Sequence, residues 1–370
     1  MEKDSTGLSG TDRLPAWEWR GVYAIAAILG LGLFAVAGRY GYSRDELYFL
    51  ACGRHLAWGY PDQPPLVPLI ARLMSTLAPR SVTILRLPSL MASMAEVVLA
   101  GLITRELGGG RRAQGLAAAA MAVSSTVLIS GHLLETITLA LPLWALLIWL
   151  ILRAIRTHHG PLWLAVGMVA GIALMESDLV AGLLGAIIVG LLVMGPRRPF
   201  TSPWFYGAVV LAFAMWSPYL AWQITHGWPE LAVAHGIANG QSGTSTPRWL
   251  VLPLQLGLVS VWLAPVWLAG LVQLSRDTNI AAGRAWALAY GVLALAIVAA
   301  GGKDYYLAGM YPLLLAAGAE PTVNWVRRGR GQMRARLLAC VLSRENPHFG
   351  QQKFPREVGN YGKTGNSLAT

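Results

Sequence analysis

Neighbouring acids at the start of the first long polar segment, Asp45 and Glu46, are the residues best suited to catalysis. A carboxylate there could accept a proton from an attacking hydroxyl as a general base. Its neighbour could bind a second hydroxyl, a metal ion or an arginine. The pair is also typical of a solvated helix N-terminus, where acids complement the helix dipole. From spacing alone, the helix-cap interpretation is the simpler one.

A second reactive group lies near the end of the apolar part of the chain, at Lys303, Asp304 and Tyr305. Lys303 and Asp304 could form a surface ion pair. A lysine beside tyrosines at a membrane surface is also what a lipid phosphate requires, and both interpretations stay open. His226 and His235 are too far apart for a helical metal pair and have no obvious third ligand, so no zinc site is predicted.

The elements that must position these residues are membrane-spanning helices. Of 370 residues, 55% are hydrophobic and 13% are charged, whereas soluble domains carry about 25% charged residues. Apolar runs long enough to cross a bilayer recur along the chain, so we predict an all-α polytopic membrane protein of about ten spans. The predicted spans are 21–38, 82–104, 114–130, 133–152, 161–175, 179–195, 205–224, 249–274, 285–300 and 305–320.

Basic residues indicate the orientation of these spans. With the N-terminus in the cytosol, every short cytosolic loop carries a basic pair, as the positive-inside rule expects. The pairs are Arg111 and Arg112, Arg153 and Arg156, Arg197 and Arg198, and Arg276 and Arg284. The net charge of +11 is therefore mainly a topology signal, and no nucleic-acid partner is expected.

The chain divides into three parts in this topology. Residues 1–20 are a cytosolic N-terminal segment, 21–320 form the transmembrane domain, and 321–370 are a basic cytosolic segment with a disordered or truncated tail. The first outer loop, 39–81, contains an apolar stretch, 66–77, that suits a helix lying in the membrane interface.

Polar residues that lack a topological explanation gather at the outer face. They come from five outer loops, and their convergence would form a site open to both water and lipid. Glu96 alone lies deep within a span, where we expect a neutral carboxyl bonded to a neighbouring helix. Cys52 and Cys340 fall on opposite sides of the membrane, so no disulfide is predicted.

Three strings of residues in the first outer loop change these interpretations. With a fourth string beginning at Gly302, they resemble the dolichyl-phosphate-mannose protein mannosyltransferase-like family, related to bacterial lipid A aminoarabinose transferases. The resemblance covers roughly 20–320. The strings are Tyr40-Gly-Tyr-Ser-Arg-Asp-Glu-Leu-Tyr-Phe, Gly53-Arg-His-Leu-Ala-Trp-Gly-Tyr, Asp62-Gln-Pro-Pro-Leu-Val-Pro-Leu and Gly302-Lys-Asp-Tyr-Tyr-Leu-Ala-Gly-Met-Tyr-Pro.

The resemblance implies a GT-C-like helical bundle and a polyprenyl-phosphate sugar as donor, with transfer to a hydroxyl acceptor and inversion. It assigns the catalytic base to Asp45, with Glu46 beside it. The candidates for binding the donor phosphate are Lys303, Arg86, His226 and Tyr305. The candidates for acceptor or loop positioning are Tyr48, His55, Asp62, Gln63, Pro64 and Pro65.

The same resemblance implies a plasma-membrane protein with its active site on the outer face. The acceptor, whether protein, glycan or lipid, and a requirement for a divalent cation both stay open. The chain departs from its relatives at Ala140, Ser177 and Tyr219. These departures motivate one alternative, a catalytically impaired relative acting as a scaffold. A transporter or flippase is a further alternative, although its polar path would have to cross the membrane.

Overall fold

The computed structural model describes residues 14–243, 245–276 and 282–344, and in these ranges the chain forms fifteen α-helices and no β-strand. The helices are α1 (Trp19–Ala37), α2 (Arg44–Arg54), α3 (Leu66–Leu77), α4 (Val82–Glu106), α5 (Arg111–Ala122), α6 (Ser125–Ser130), α7 (Thr136–Thr157), α8 (Leu162–Leu174), α9 (Leu179–Met194), α10 (Pro203–Thr225), α11 (Pro229–Ala238), α12 (Val251–Leu258), α13 (Ala264–Arg276), α14 (Gly283–Ala300) and α15 (Tyr311–Arg344).

The lengths and apolar compositions of these helices confirm a polytopic membrane protein. Among the described residues, α1, α4, α7, α10 and α14 are each long and apolar enough to cross a bilayer. A bent pair, Arg248–Leu258 with Val261–Arg276, would make a sixth span. The apolar helices α3, α8 and α9 are shorter. Helix α3 spans the residues for which an interfacial helix is predicted.

Two of the predicted continuous spans are broken in the structure. The span predicted at 114–130 is divided between α5 and α6, and the one at 249–274 bends by 83° at Ser260, which has a φ of 80°. The two breaks contact each other. Ser260 Oγ accepts a bond from the Ser125 amide at 3.0 Å, and Thr126 Oγ1 donates to the Leu258 carbonyl at 2.7 Å. Side-chain hydroxyls therefore bond backbone groups near the breaks, and lipid could not supply such bonds.

The interior is built around α4, which packs against α1, α5 and α7. Helix α8 packs along α10 and α9 along α14. Helices α13 and α15 approach so closely that a Cβ atom on Gly270 would lie 1.8 Å from the Leu314 carbonyl oxygen, and one on Gly318 would lie 1.9 Å from that of Val266. Small residues allow this backbone contact, which is typical of membrane helices.

Glu96 is among the polar residues that are buried in this interior. It is 1% exposed, and its Oε1 has no hydrogen-bond partner in the part of the chain that the structure describes. The expected bond from this oxygen to a neighbouring helix is therefore not observed.

The chain forms two compact units, residues 1–323 and 324–370. Residues 321–344 of the predicted cytosolic segment are helical, as the last part of α15. The structure does not describe residues 1–13 or 345–370, so the predicted tail and most of the N-terminal segment lie outside the described residues.

Candidate active site

Helix α2 begins with a capping box that places both acids of the first outer loop. Ser43 Oγ accepts a bond from the Glu46 amide at 3.1 Å, and the Ser43 amide donates to Glu46 Oε2 at 2.8 Å. The helix-cap interpretation is therefore correct for Glu46, whose side chain turns inward. Asp45, one residue earlier in the first turn, is partly exposed.

Glu46 and Arg86 form a fully buried ion pair. The Arg86 guanidinium donates from Nε to Glu46 Oε1 at 2.7 Å and from Nη2 to Oε2 at 2.8 Å, and the side chains are 1% and 0% exposed. Arg86 also donates to the carbonyl oxygens of Ala37 at 2.6 Å and Gly41 at 2.8 Å. The Leu134 amide donates to Glu46 Oε1 at 3.2 Å. One ion pair thus joins α1, α2, α4 and the loop before α7.

The buried ion pair decides how two of the predicted site residues, Glu46 and Arg86, can act. Burial acts to raise the pKa of Glu46, but the bonds from Arg86, Ser43 and Leu134 outweigh it, so the carboxyl pKa is lowered and the group stays ionised. The ring of Tyr40 covers the guanidinium at 4.2 Å. Glu46 and Arg86 therefore satisfy each other and the surrounding backbone, and neither presents a free charge to a substrate in this structure.

Asp45 remains accessible. Its side chain is 46% exposed and contacts only the Nε of Arg44, at 3.0 Å, in the described ion pairs. Arg44 itself is 89% exposed, so this pair is a weak surface contact. The Asp45 carboxylate can therefore exchange Arg44 for a substrate hydroxyl at small cost.

Glu135 is a carboxyl close to Asp45 that is not among the site residues predicted from the sequence. Burial, with smaller contributions from the negative charges of Asp45 and Glu46, raises its pKa to about 7, while Arg44 opposes the rise. Its signal in the sequence is an acid directly before Thr136, the first residue of α7. Only the folding of this loop against α2 shows that it faces Asp45.

Lys303, which is distant in sequence, interacts electrostatically with Asp45 and with two further carboxylates, Asp62 and Asp304. Burial lowers the pKa of its ammonium group, although Asp45, Asp62 and Asp304 act to raise it. Its Nζ lies 5.6 Å from the centroid of the Tyr305 ring. Lys303 is therefore a partly desolvated cation beside the exposed base. We call Asp45, Glu135 and Lys303 the outer cluster.

The backbone around Lys303 is fixed by Asp304 and Gln255. The Gln255 side chain donates to the Asp304 carbonyl at 2.8 Å and accepts a bond from the Tyr311 hydroxyl at 2.6 Å. Thr246 Oγ1 donates to Asp304 Oδ1 at 3.3 Å. The hydrogen bonds of Asp304 thus stabilise its own loop, and no described ion pair joins it to Lys303.

The residues predicted to position the acceptor or the loop are brought together around one turn. Tyr48 donates a short hydrogen bond to Asp62, and the Tyr60 amide donates to the Gln63 carbonyl at 3.0 Å. Pro64 and Pro65 are buried and lead into α3. The Leu66 amide donates to the Met175 carbonyl at 3.0 Å, which holds the turn against the end of α8.

The two predicted histidines lie at the edge of this arrangement. His55 ends α2, is exposed, and contributes its carbonyl oxygen to the Tyr60 hydroxyl at 3.2 Å. His226 ends α10, is exposed, stacks on Trp222 at 4.0 Å and bonds the Trp222 carbonyl through Nδ1 at 2.8 Å. No described contact of His226 joins it to Lys303.

Metal ligands are not grouped in the part of the chain that the structure describes. No three or more histidine, cysteine, aspartate or glutamate side chains are placed there so as to hold a metal ion. Asp45, Glu135 and Lys303 mix two acids with a cation, which is a combination suited to proton transfer and anion binding rather than to metal coordination.

Family comparison finds a match over part of the chain, which includes the first-loop string that begins at Asp62. Residues 62–222 match the model of the family described as dolichyl-phosphate-mannose-protein mannosyltransferase. This range begins at the turn that carries Asp62 and ends near the end of α10, so the resemblance predicted from the sequence is confirmed. No curated protein sequence matches the chain.

Solved structures show the fold. ArnT from Cupriavidus metallidurans bound to undecaprenyl phosphate matches with a TM-score of 0.64 and 16% identity over 86% of this chain and 64% of that chain. Its apo state matches with a TM-score of 0.62, 16% identity and 88% and 64% coverage. The Archaeoglobus fulgidus oligosaccharyltransferase in complex with Zn and sulfate matches with a TM-score of 0.53 and 12% identity over 87% of this chain and 51% of that chain. The chain therefore has the GT-C fold and spans less than two thirds of the length of these proteins.

Proposed function

We propose that this chain is a membrane glycosyltransferase that moves a sugar from a polyprenyl-phosphate donor to a hydroxyl acceptor at the outer membrane face. The observation that carries the proposal is the outer cluster. There an exposed carboxylate, Asp45, and a partly desolvated lysine, Lys303, interact electrostatically on a GT-C fold although they are far apart in sequence. ArnT binds undecaprenyl phosphate on the same fold, which supports a lipid phosphate as the donor's leaving group.

The proposed reaction is an inverting displacement at the anomeric carbon. The acceptor oxygen forms the new bond to that carbon while the bond to the phosphate oxygen breaks. Asp45 takes the acceptor's proton as general base. Polyprenyl phosphate leaves with the bonding electron pair, and Lys303 stabilises its growing negative charge. The ring of Tyr305 lies beside this ammonium group and limits the water around it.

Three other residues support the base. Glu135, once ionised, is a second carboxylate near Asp45 that can accept a hydrogen bond from the acceptor's hydroxyl. The buried pair of Glu46 and Arg86 holds α2 in place and thereby positions Asp45. In this proposal Arg86 positions the loop instead of binding the donor phosphate, and His226 lies at the periphery.

The proposed location follows from charge and topology. Basic pairs in the short loops favour a cytosolic N-terminus in the plasma membrane, with the outer cluster on the outer face. The donor would enter from the bilayer and the acceptor, a protein, a glycan or a lipid, from outside. The requirement for a divalent cation stays open and is tested by chelation.

The deciding experiment is binding of a short-chain polyprenyl-phosphate sugar to the detergent-purified protein. We expect Lys303→Ala to weaken binding by about tenfold or more, because a charge-assisted bond to phosphate is lost. Asp45→Asn should bind the donor normally but lose transfer by roughly 10²–10⁴-fold. Arg197→Ala, an exposed change in a cytosolic loop, is the control and should alter neither quantity.

The outcomes separate the alternatives. Retained transfer in Asp45→Asn would remove the proposed base. Absence of binding to several lipid-phosphate sugars would favour the scaffold alternative.

Because burial lowers the pKa of Lys303, donor binding should be lost as the pH rises through this lowered pKa, before an exposed lysine would lose its charge.

A further inference from the structure

Hydroxyl groups join the two short helices α6 and α12 where the predicted spans are broken. Thr126 Oγ1 donates to the carbonyl of Leu258 at 2.7 Å. Ser260 Oγ lies 3.0 Å from the amide nitrogen of Ser125 and 2.9 Å from its hydroxyl oxygen. Leu258 is the last residue of α12, so its carbonyl has no partner within that helix. We call these bonds the α6–α12 contact, and the proposed reaction uses none of its residues.

On one side of this contact, α6 holds the loop that precedes α7. Ser130, the last residue of α6, accepts at its carbonyl a bond from Thr138 Oγ1 at 3.0 Å. The same Thr138 hydroxyl lies 3.1 Å from the carbonyl oxygen of Leu133, which belongs to the loop. Ser130 Oγ donates to the Thr126 carbonyl at 2.8 Å. The loop that carries Glu135 is therefore bonded to α6 through buried hydroxyl groups.

The same loop is bonded to the helix that carries the proposed base. The Leu134 amide donates to Glu46 Oε1 at 3.2 Å, and Glu46 follows Asp45 in α2. Asp45 and Glu135 thus belong to segments that are joined to each other and to α6. We call these segments the carboxyl side of the outer cluster.

On the other side of the contact, α12 holds the loop of Lys303. Gln255, about one turn before Leu258 in α12, is 0% exposed and donates to the Asp304 carbonyl at 2.8 Å. Lys303 directly precedes Asp304, so α12 fixes the backbone beside the proposed phosphate-binding cation. We call α12 and this loop the lysine side of the outer cluster.

We propose that Thr126 and Ser260 are positioning residues that set the separation between the carboxyl side and the lysine side. Their described hydrogen bonds join groups at the two breaks and reach no member of the outer cluster, so they act through the segments that carry its members. The inference rests on the proposed transferase function, because the separation matters only where the base and the cation act in one reaction.

The proposed reaction is sensitive to this separation. Asp45 must reach the acceptor's hydroxyl while Lys303 lies at the departing phosphate, and a misplacement of about 1 Å can cost about a hundredfold in rate. Valine has nearly the shape of threonine but no hydroxyl, so Thr126→Val leaves the Leu258 carbonyl without its partner. Ser260→Ala removes the second hydroxyl. The double variant therefore breaks the α6–α12 contact while every member of the outer cluster stays in the chain.

The first measurement is a distance that needs no substrate. In a chain with both cysteines replaced by serine, spin labels are attached at Arg39→Cys and Arg248→Cys. Arg39 lies in the segment whose carbonyls Arg86 holds, and Arg248 precedes α12, so the labels report on the two sides. Both arginines are exposed. We expect the double variant to broaden the distribution of label distances measured by double electron–electron resonance in detergent.

The second measurement separates binding from turnover. Farnesyl phosphate sugars carrying glucose, mannose or arabinose are the donors, and water is the simplest hydroxyl acceptor. The double variant should bind a donor within about twofold of the unsubstituted chain, because Lys303 and its loop keep their own bonds. The single-turnover rate of donor cleavage should fall by roughly tenfold to a hundredfold. A role in stability alone would reduce the amount of folded protein without changing the rate for each bound donor.

Matched hydroxyl losses elsewhere in the chain provide the control. Thr104 and Ser275 each donate to a carbonyl within their own helix, at 2.8 Å and 2.7 Å. Thr104→Val with Ser275→Ala makes the same chemical changes and should alter neither the label distances nor the turnover. Thr126→Ser keeps the hydroxyl and, alone, should behave like the unsubstituted chain.

Three results overturn the inference. They are label distances that stay unchanged in the double variant, turnover that stays unchanged in it, and an equal effect of the control variant. Where the unsubstituted chain cleaves no donor, the label distances alone decide whether the α6–α12 contact sets the separation. Where it also binds none of the donors, the transferase proposal fails, and broadened label distances still support the role of the contact.

Discussion

At the scale of single residues, adjacent acids take on different tasks because their surroundings differ. Glu46 faces the interior and is neutralised by Arg86, whereas Asp45 faces outwards with only the exposed Arg44 beside it. Glu135 lies between these extremes, because it is partly buried and close to the charges of both acids. Its ionisation state is therefore the property of the outer cluster most sensitive to pH.

We expect the rate of sugar transfer to rise as the pH rises through about 7, the pKa to which burial and the neighbouring acids bring Glu135. Above that pH Glu135 is ionised and can accept a hydrogen bond from the acceptor's hydroxyl near Asp45. Glu135→Gln should lower the rate by roughly tenfold, or about 1.4 kcal/mol of transition-state stabilisation, and abolish this inflexion. The measurement is a pH–rate profile of transfer from a lipid-phosphate sugar. An unchanged inflexion in Glu135→Gln would assign it to another group.

At the scale of elements, the buried ion pair is the charged connection between α2 and the bundle that the described residues show. We expect Glu46→Gln to lower the free energy of unfolding by about 3–5 kcal/mol, the usual cost of removing one partner from a buried pair. Unfolding in mixed micelles provides the measurement. Arg153→Ala is the control, because its contact with Glu106 is 4.0 Å long and its side chain is 42% exposed. A loss below about 1 kcal/mol in Glu46→Gln, typical of surface pairs, would contradict the interpretation.

The same pair has a defined pH dependence. Because the pKa of Glu46 is lowered in the folded chain, its carboxylate stabilises the fold fully above the usual glutamate range. That contribution is lost as the pH falls through the lowered pKa. Acid therefore weakens the attachment of α2, and with it of Asp45, to the bundle.

A glycine contact between two helices gives a second prediction at this scale. Gly270→Ala should destabilise the chain by roughly 1–3 kcal/mol, the cost of overpacking, because the new Cβ would lie 1.8 Å from the Leu314 carbonyl oxygen. Gly291→Ala is the matched control within a helix, since nothing lies within 4 Å of its added Cβ. Thermal unfolding of both variants in the same detergent compares them. Equal stability would show that α13 and α15 can separate freely.

At the scale of the whole molecule, orientation in the membrane can be tested directly. In a background of Cys52→Ser and Cys340→Ser, Arg54→Cys should react with a membrane-impermeant maleimide on intact cells. Arg198→Cys should react only after permeabilisation, because its loop carries one of the basic pairs predicted to stay in the cytosol. Both arginines are exposed, so accessibility within the protein does not limit either reaction. The reverse labelling pattern would place the outer cluster inside the cell.

The sequence predicts the helical membrane fold well, because span length and apolar composition are local properties. It misses the breaks before Ser125 and at Ser260, because the hydrogen bond between these two residues joins segments that are 135 residues apart in sequence. The motif predicts Asp45 as a site residue, yet the difference between its surroundings and those of Glu46 depends on Arg86, which lies 40 residues from Glu46. From the sequence alone Glu135 is an acid in a turn, since its approach to Asp45 is a product of tertiary packing.

The ion pair of Glu46 and Arg86 also has a consequence for biogenesis. All of its hydrogen-bond partners lie between Ala37 and Leu134, in the first half of the chain to leave the ribosome. The Asp45 side of the outer cluster can therefore form early, once α1, α2, α4 and the loop before α7 are in place. Lys303 is synthesised much later, so the proposed proton acceptor is positioned before the proposed phosphate-binding cation. A folding intermediate arrested between these events would carry the proposed base without the proposed donor site.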